Sequence, residues 1–502
     1  MRTAILETAL RRAPLAALLA ALVAALGCGG NTSPTCAANG GACSAGATCC
    51  SGNCVGGRCE APVPECALPA PQPSALPAGQ VLELGVHAVG TTVSFDVPSG
   101  TGSVTILQQG AEPLAATSVT LAGNVFANSV VPLSVSVAGV GEIFSFTSWY
   151  APPSDPAASG VRVYYNTEAG WTGAMTIPNT TRMLQSGVPA GRWSVALTDL
   201  ARECPRAPQC VVGSGVTYPS GKYDVSVLLR PGPVPATGTV DVVFQLLTED
   251  PVLTGPSPQS NASVQRMVST LGQILGQAGI ALGSVSFRDL PQAVKDGFPG
   301  GVDVDDASPC GDLATLLRQS GPGNAMSLFL VDSLVSSQSG AGTTVVGIDG
   351  TVPGPSTVGG TVASGAAVSV ANLYWQRPAT SGCSGATSFY NCGADRVAYI
   401  AAHETGHFLG LYHETEFDGT LFDPVSDTPT CVCSQCRPPG ATQQCYPAVA
   451  LDSAYQMTGA DCTARPTCGG GGDLMFWLIS SVSQGTLSAQ QGQILRANPL
   501  VR

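Results

Sequence analysis

Histidine is scarce in this chain, with four residues in 502. Lysine is scarcer: only Lys222 and Lys295 stand among 21 basic residues, and charged side chains make up 11% of the sequence. With a formal net charge of −12, the sequence offers no basic surface for nucleic acid or an anionic lipid face, and both partner classes are excluded. Blocks of like charge and repeats at a fixed period are absent, which sets aside charged tails and solenoids. The apolar run from Ala13 to Leu26 is too short to span a bilayer. Three of the four histidines fall within eleven residues, leaving only His87 to pair with a serine or cysteine nucleophile. A serine or cysteine hydrolase therefore has no placed triad.

What is present is concentrated in those eleven residues. His403 to His413 reads HETGHFLGLYH, the pattern H-E-x-x-H-x-x-G-x-x-H. On a helix, residues four apart share a face, so His403 and His407 can offer imidazole nitrogens to one tetrahedral ion. Glu404 is then beside that ion without ligating it. Gly410 is where the helix can end in a left-handed turn that glycine adopts cheaply, so that the chain doubles back to bring His413 in as third ligand. Three protein ligands leave the fourth zinc position to water, the arrangement of a catalytic rather than a structural zinc, with Glu404 as general base and acid. The preceding residues fit a helix: Asp395 is placed to cap its start, and Val397, Ile400, Ala401, Phe408 and Leu411 form an apolar stripe. Gly406 inside it costs about 1 kcal/mol relative to alanine, which points to a close backbone approach.

With this long motif the sequence resembles the metzincins, zinc endopeptidases whose zinc helix is followed by a methionine turn. Met475, in GGGGDLMFW, is the matching methionine, and the resemblance implies an apolar floor beneath the zinc. Within the clan the chain is similar to the pappalysin group, because Asp423 to Pro429, DPVSDTP, matches the stretch following the third histidine there. The resemblance implies that this loop shapes the substrate cleft and that Asp423 and Asp427 help hold calcium as a second cation. The alternative is that both are turn formers before Pro429. A tyrosine stands two residues after the turn methionine in some relatives; here it is Trp477, which donates but neither ligates nor ionises. The substrate implied is a protein or peptide, bound as an added strand on a sheet edge.

Residues 1–27 read as an export signal, with Arg2, Arg11 and Arg12 before the apolar run. Ala-Leu-Gly-Cys resembles a lipobox with Cys28 as the lipidated residue; simple cleavage nearby is the alternative. Of nineteen cysteines, setting Cys28 aside leaves an even number that can all pair in an oxidising compartment. The expected location is outside the cytoplasm, as a surface lipoprotein or a secreted protein. Scarce lysine beside abundant Ala, Gly and Pro suggests a GC-rich bacterial genome.

The expected fold is multidomain. Residues 28–66 carry Cys36, Cys43, Cys49, Cys50, Cys54 and Cys59 at a spacing that resembles a knottin framework, from which any pairing would be inherited. A proline-rich linker spans 67–79. Short alternating segments over 80–232 predict a β-sandwich whose role as prodomain, spacer or carbohydrate-binding module stays open. Residues 236–502 alternate strands and helices, as an α/β catalytic domain of metzincin type would, with a mixed twisted sheet, the zinc helix and an irregular C-terminal subdomain. Cys431, Cys433, Cys436, Cys445, Cys462 and Cys468 favour bracing disulfides over a second zinc site. Cys310 is weighed as a latency switch and disfavoured, since freeing it breaks the even count. The rival function is a surface adhesion or inhibitor protein with a vestigial protease domain.

Overall fold

The computed structural model describes residues 79–110, 130–145, 172–199, 222–305, 311–371 except 322 and 337–343, 389, and 392–502 except 447, 450–452 and 464–467. It also describes short strands at 54–55, 58–59, 72–73, 118–121, 124–127 and 210–212. The chain forms two units, which divide between Leu68 and Pro69. In the smaller, Cys54–Val55 pairs antiparallel with Arg58–Cys59. Cys28, Cys310 and the first four cysteines of the knottin-like spacing lie outside the described residues.

In the larger unit the alternating segments form two four-stranded antiparallel sheets. Their strands are Gln80–Ala88 (β1), Thr92–Val97 (β2), Thr101–Gly110 (β3), Val130–Val137 (β4), Gly141–Ser145 (β5), Thr172–Ile177 (β6), Gly191–Asp199 (β7) and Lys222–Pro231 (β8). One sheet runs β5-β4-β7-β2 and the other β6-β3-β8-β1. Inward residues of both fill one core around Trp193, whose ring centroid is 6.0 Å from that of Phe95 and whose indole N–H donates to Pro189 O. A short helix, Thr181–Ser186 (α1), interrupts the sandwich between β6 and β7.

The chain then changes texture. Gly238–Leu246 (β9), Ile280–Asp289 (β10), Met326–Val331 (β11), Gly347–Asp349 (β12) and Ala366–Ser369 (β13) form a mixed sheet in the order β10-β9-β11-β13-β12. The first four in that order are mutually parallel, and β12 joins antiparallel at the edge. Every residue of β11 is buried, as expected of a strand covered on both faces. Ala262–Gly276 (α2) and Gly393–Leu409 (α3) pack on one side through Leu271, Ile274, Val397 and Ala401. Asn261 caps α2, its side chain accepting from the amides of Ser263 and Val264. The last helix, Ala489–Ala497 (α4), opens with a reciprocal capping box between Ser488 and Gln491.

One local expectation is corrected. Asp395 does not cap α3: the N-cap is Cys392, and Asp395 lies in the first turn, 5% exposed. Its carboxylate accepts a bidentate pair from Arg266 at 2.7 and 2.8 Å and a third bond from Thr270. The pair ties α2 to α3, because a buried carboxylate is better satisfied by a guanidinium fork than by one cap amide.

The irregular C-terminal part is held by three disulfides, Cys431–Cys462, Cys433–Cys445 and Cys436–Cys468, around Phe417, Met457 and Trp477. These bonds occupy all six sulfurs of the cluster. Among the described residues no helix is long and apolar enough to cross a membrane.

Replacing Arg266 with alanine strands the Asp395 carboxylate at the α2–α3 contact. The expected loss is about 2 kcal/mol, between the limits for exposed and buried pairs, since Arg266 is partly exposed. A chemical-denaturation midpoint unchanged from the parent would contradict this role.

Candidate active site

Helix α3 places His403 and His407 one turn apart on the same face, with Glu404 next to His403. It ends at Gly410, whose φ of 117° lies in the left-handed region, with its amide donating to Gly406 O and His407 O. The chain turns back there and brings His413 beside the first two imidazoles. The three Nε2 atoms lie 3.1, 3.2 and 3.2 Å from one another. The side chains are 2–6% exposed.

Each ring's far nitrogen is held. His403 Nδ1 lies 2.6 Å from Leu474 O, and His407 Nδ1 lies 2.7 Å from Leu411 O. A carbonyl only accepts, so both Nδ1 atoms carry the proton and both Nε2 atoms present bare lone pairs. His413 Nδ1 faces Glu416 Oε1 at 3.1 Å, a carboxyl group 1% exposed. Nitrogens at such separations, with the protons of His403 and His407 directed away, are placed to share a cation. Zinc–nitrogen bonds of about 2.0–2.1 Å in a tetrahedron put the ligand nitrogens about 3.3 Å apart, so this donor set fits zinc. No other group of three described side chains with free donor atoms gathers this closely, because Cys431, Cys436 and Cys468 are spent in disulfides.

Burial sets the protonation. It lowers His403 and His407 well below the ordinary imidazole value, with the neighbouring histidines adding to the effect, and it pushes His413 down to about 3. All three are neutral and fit to ligate. Glu404 moves the other way: burial raises its carboxyl well above the usual range, and the Asp349 carboxylate on β12 raises it further. A raised carboxyl suits a group that must both take and return a proton near neutral pH.

Met475 lies beneath α3 and is fully buried. A Cβ on Gly406 would stand 2.7 Å from Met475 Sδ, which explains the glycine in mid-helix. The methionine segment is pinned to the site: Glu414 N donates to Met475 O, Thr415 bridges Phe476, and the Tyr399 hydroxyl donates to Asp473 O at 2.8 Å. Trp477 faces elsewhere, its indole donating to Met457 O within the disulfide cluster. Asp423 accepts from Thr428 Oγ1 and Gln491 Nε2, and burial pushes its carboxyl up to about 7. Asp427 accepts from Ser488 Oγ and Gln490 N at the start of α4. Both carboxylates are thus engaged by protein donors. His87 is a strand residue of β1, with Nε2 2.9 Å from Leu84 O.

Sequence reasoning did not find Glu416, Tyr399 or Asp349. The first two carry a legible signal, lying three residues after His413 and four before His403. Asp349 carries none, because only the sheet brings it to Glu404.

The chain matches no family model and no curated protein. Solved structures similar to it include mirolysin in complex with compound 9, at 12% identity and a TM-score of 0.28, covering 52% of this chain and 91% of that one. Another is metalloproteinase-II from Bacteroides fragilis, at 16% identity and a TM-score of 0.22, covering 47% and 57%. A third belongs to a chaperone–substrate complex, at 13% identity and a TM-score of 0.25, covering 53% and 38%. This chain therefore spans less than two thirds of the latter two. The likenesses are loose, and the chemistry follows from the site's own geometry.

Two substitutions probe that geometry. Gly406→Ala drives a methyl group into Met475 and is expected to destabilise the fold by about 1–3 kcal/mol, measured by denaturation; no loss would mean that the helix and methionine do not meet. Glu416→Ala is expected to weaken zinc binding by about 10–100-fold, with Glu416→Gln closer to the parent in a chelator competition. Equal affinity in all three proteins would remove Glu416 from the site.

Proposed function

We propose that this chain is an exported zinc-dependent endopeptidase of the metzincin type, resembling the pappalysin group and acting on extracellular proteins. The observation that carries the reading is the convergence of three buried Nε2 atoms, two of them bare, on the helix turn that also carries the buried carboxyl of Glu404. His403, His407 and His413 hold the metal. When bound, zinc supplies Lewis acidity to the scissile carbonyl and to water. Glu404 takes the proton of the attacking water and delivers it to the leaving amine, which needs a carboxyl that exchanges protons near neutral pH.

The substrate adds as a strand along β12. That strand runs antiparallel at the sheet edge, and a Cβ on its Gly347 would stand 2.4 Å from Glu404 Oε1. An extended peptide on that edge therefore runs past the general base. Met475 keeps α3 at a fixed height. Cys28 carries the lipid anchor, and the three C-terminal disulfides suit an oxidising compartment.

Glu404→Ala is expected to reduce casein or gelatin hydrolysis by at least about 100-fold, at a zinc content equal to the parent's. Chelation should abolish the parent's activity and added zinc restore it. Parent-like hydrolysis by the alanine variant, or none by a zinc-loaded and correctly oxidised parent, would refute the reading.

A further inference from the structure

The two sheets of the sandwich are covered differently. In β2 the burial alternates: Val93, Phe95 and Val97 are buried, whereas Thr92 and Asp96 are exposed, as in a sheet with one wet face. In β3 the alternation is lost, and Ser103 through Gln108 are buried on both faces. The inward set, Val104 and Ile106, belongs to the sandwich core. On the outward set, Leu107 clusters with Leu228 of β8 and with Val358, a residue from the segment between β12 and β13 of the zinc-binding half. Val358–Gly359 also pairs with Gln72–Pro73 from the linker that precedes the sandwich.

Polar ties accompany this contact. Arg230, at the end of β8, donates to Arg496 O at 2.7 Å, at the closing turn of α4. Arg496 returns the bond across the connector, its Nε donating to Pro235 O at 2.8 Å. At the other end of α4, helix α1 grips the Asp423–Pro429 loop. The Thr181 amide donates to Pro424 O at 3.1 Å, the Ser426 amide donates to Thr181 Oγ1 at 2.8 Å, and the same hydroxyl meets Gln490 Oε1. Met183 of α1 is buried in the sandwich core, and Leu184, next to it, packs against the core beneath α3. A six-residue helix thus has a foot in each half.

We propose that the β-sandwich is a permanent brace of the zinc-binding half and not a pro-segment released on maturation, with Thr181 and Arg230 clamping the Asp423–Pro429 loop and α4 from the sandwich side. A pro-segment that is shed presents a surface the mature protein can leave wet. Here separation would expose Leu107, Leu184 and Val358 together and leave Pro424 O and the Ser426 amide without their partners.

The test uses the full oxidised chain with a specific protease site inserted after Gly232. Cut to completion, the two halves are expected to elute together at the size of the uncut chain and to unfold in one transition. Adding Thr181→Val and Arg230→Ala should weaken their association at least tenfold. Separation of the halves of the cut parent would overturn the proposal. So would co-elution that the double substitution leaves unchanged, since Thr181 and Arg230 would then not be the clamp. A second measurement needs no cut: Thr181→Val in the intact chain should speed hydrogen exchange at the Ser426 amide at least tenfold, and an unchanged rate would remove Thr181 from the clamp.

Discussion

Three imidazole Nε2 atoms converge on one point, 3.1 to 3.2 Å from one another, and the surrounding structure is arranged to keep them there. Each ring's other nitrogen is fixed: two by main-chain carbonyls, Leu474 O and Leu411 O, and one by Glu416. All three partners fix the orientation of their rings, and the two carbonyls also select the tautomer. The arrangement is suited to a cation at its centre. Gly410 supplies the reversal that brings in His413, and the contact between Gly406 and Met475 sets the height of the helix above its floor. The Arg266–Asp395 pair anchors the far end of the same helix to its neighbour.

Burial has opposite consequences for the two kinds of titratable group here. It holds the histidines neutral, which leaves them able to ligate, and holds Glu404 protonated more readily than an exposed carboxyl. A divalent ion would pull the carboxyl back toward its ionised form, because a nearby positive charge favours the anion. With a metal bound, the acid–base character of Glu404 would be set by two opposed effects, dehydration and the field of the ion. The same reasoning applies to Glu416, whose carboxyl is also raised by burial and stands behind a ligand ring.

Much of this was legible in the sequence because it depends on local spacing. The helix carrying His403 and His407, its glycine stop and the alternation of the sandwich strands all follow from periods of 3.6 or 2 and from glycine's access to positive φ. Helix α4 could be read for the same reason, its capping residues lying three apart. What was missed depends on distant segments. Asp395 looked like a cap because nothing nearby in the chain shows that Arg266 will face it. The donors to Asp423 and Asp427 include Gln491, Ser488 and Gln490, which lie at the start of α4 and cannot be read from the loop itself. Hydrogen-bond partners across tens of residues are a property of the packed chain and leave no periodic trace.

The central claim is that the histidine cluster is a zinc site with a position left for water. X-ray absorption at the zinc edge on the purified, oxidised protein tests it most directly. The account predicts one zinc per chain with a shell of three imidazole nitrogens and one oxygen at about 2.0–2.1 Å. A shell containing sulfur, a shell of protein ligands alone, or the absence of tightly held zinc at neutral pH would contradict it.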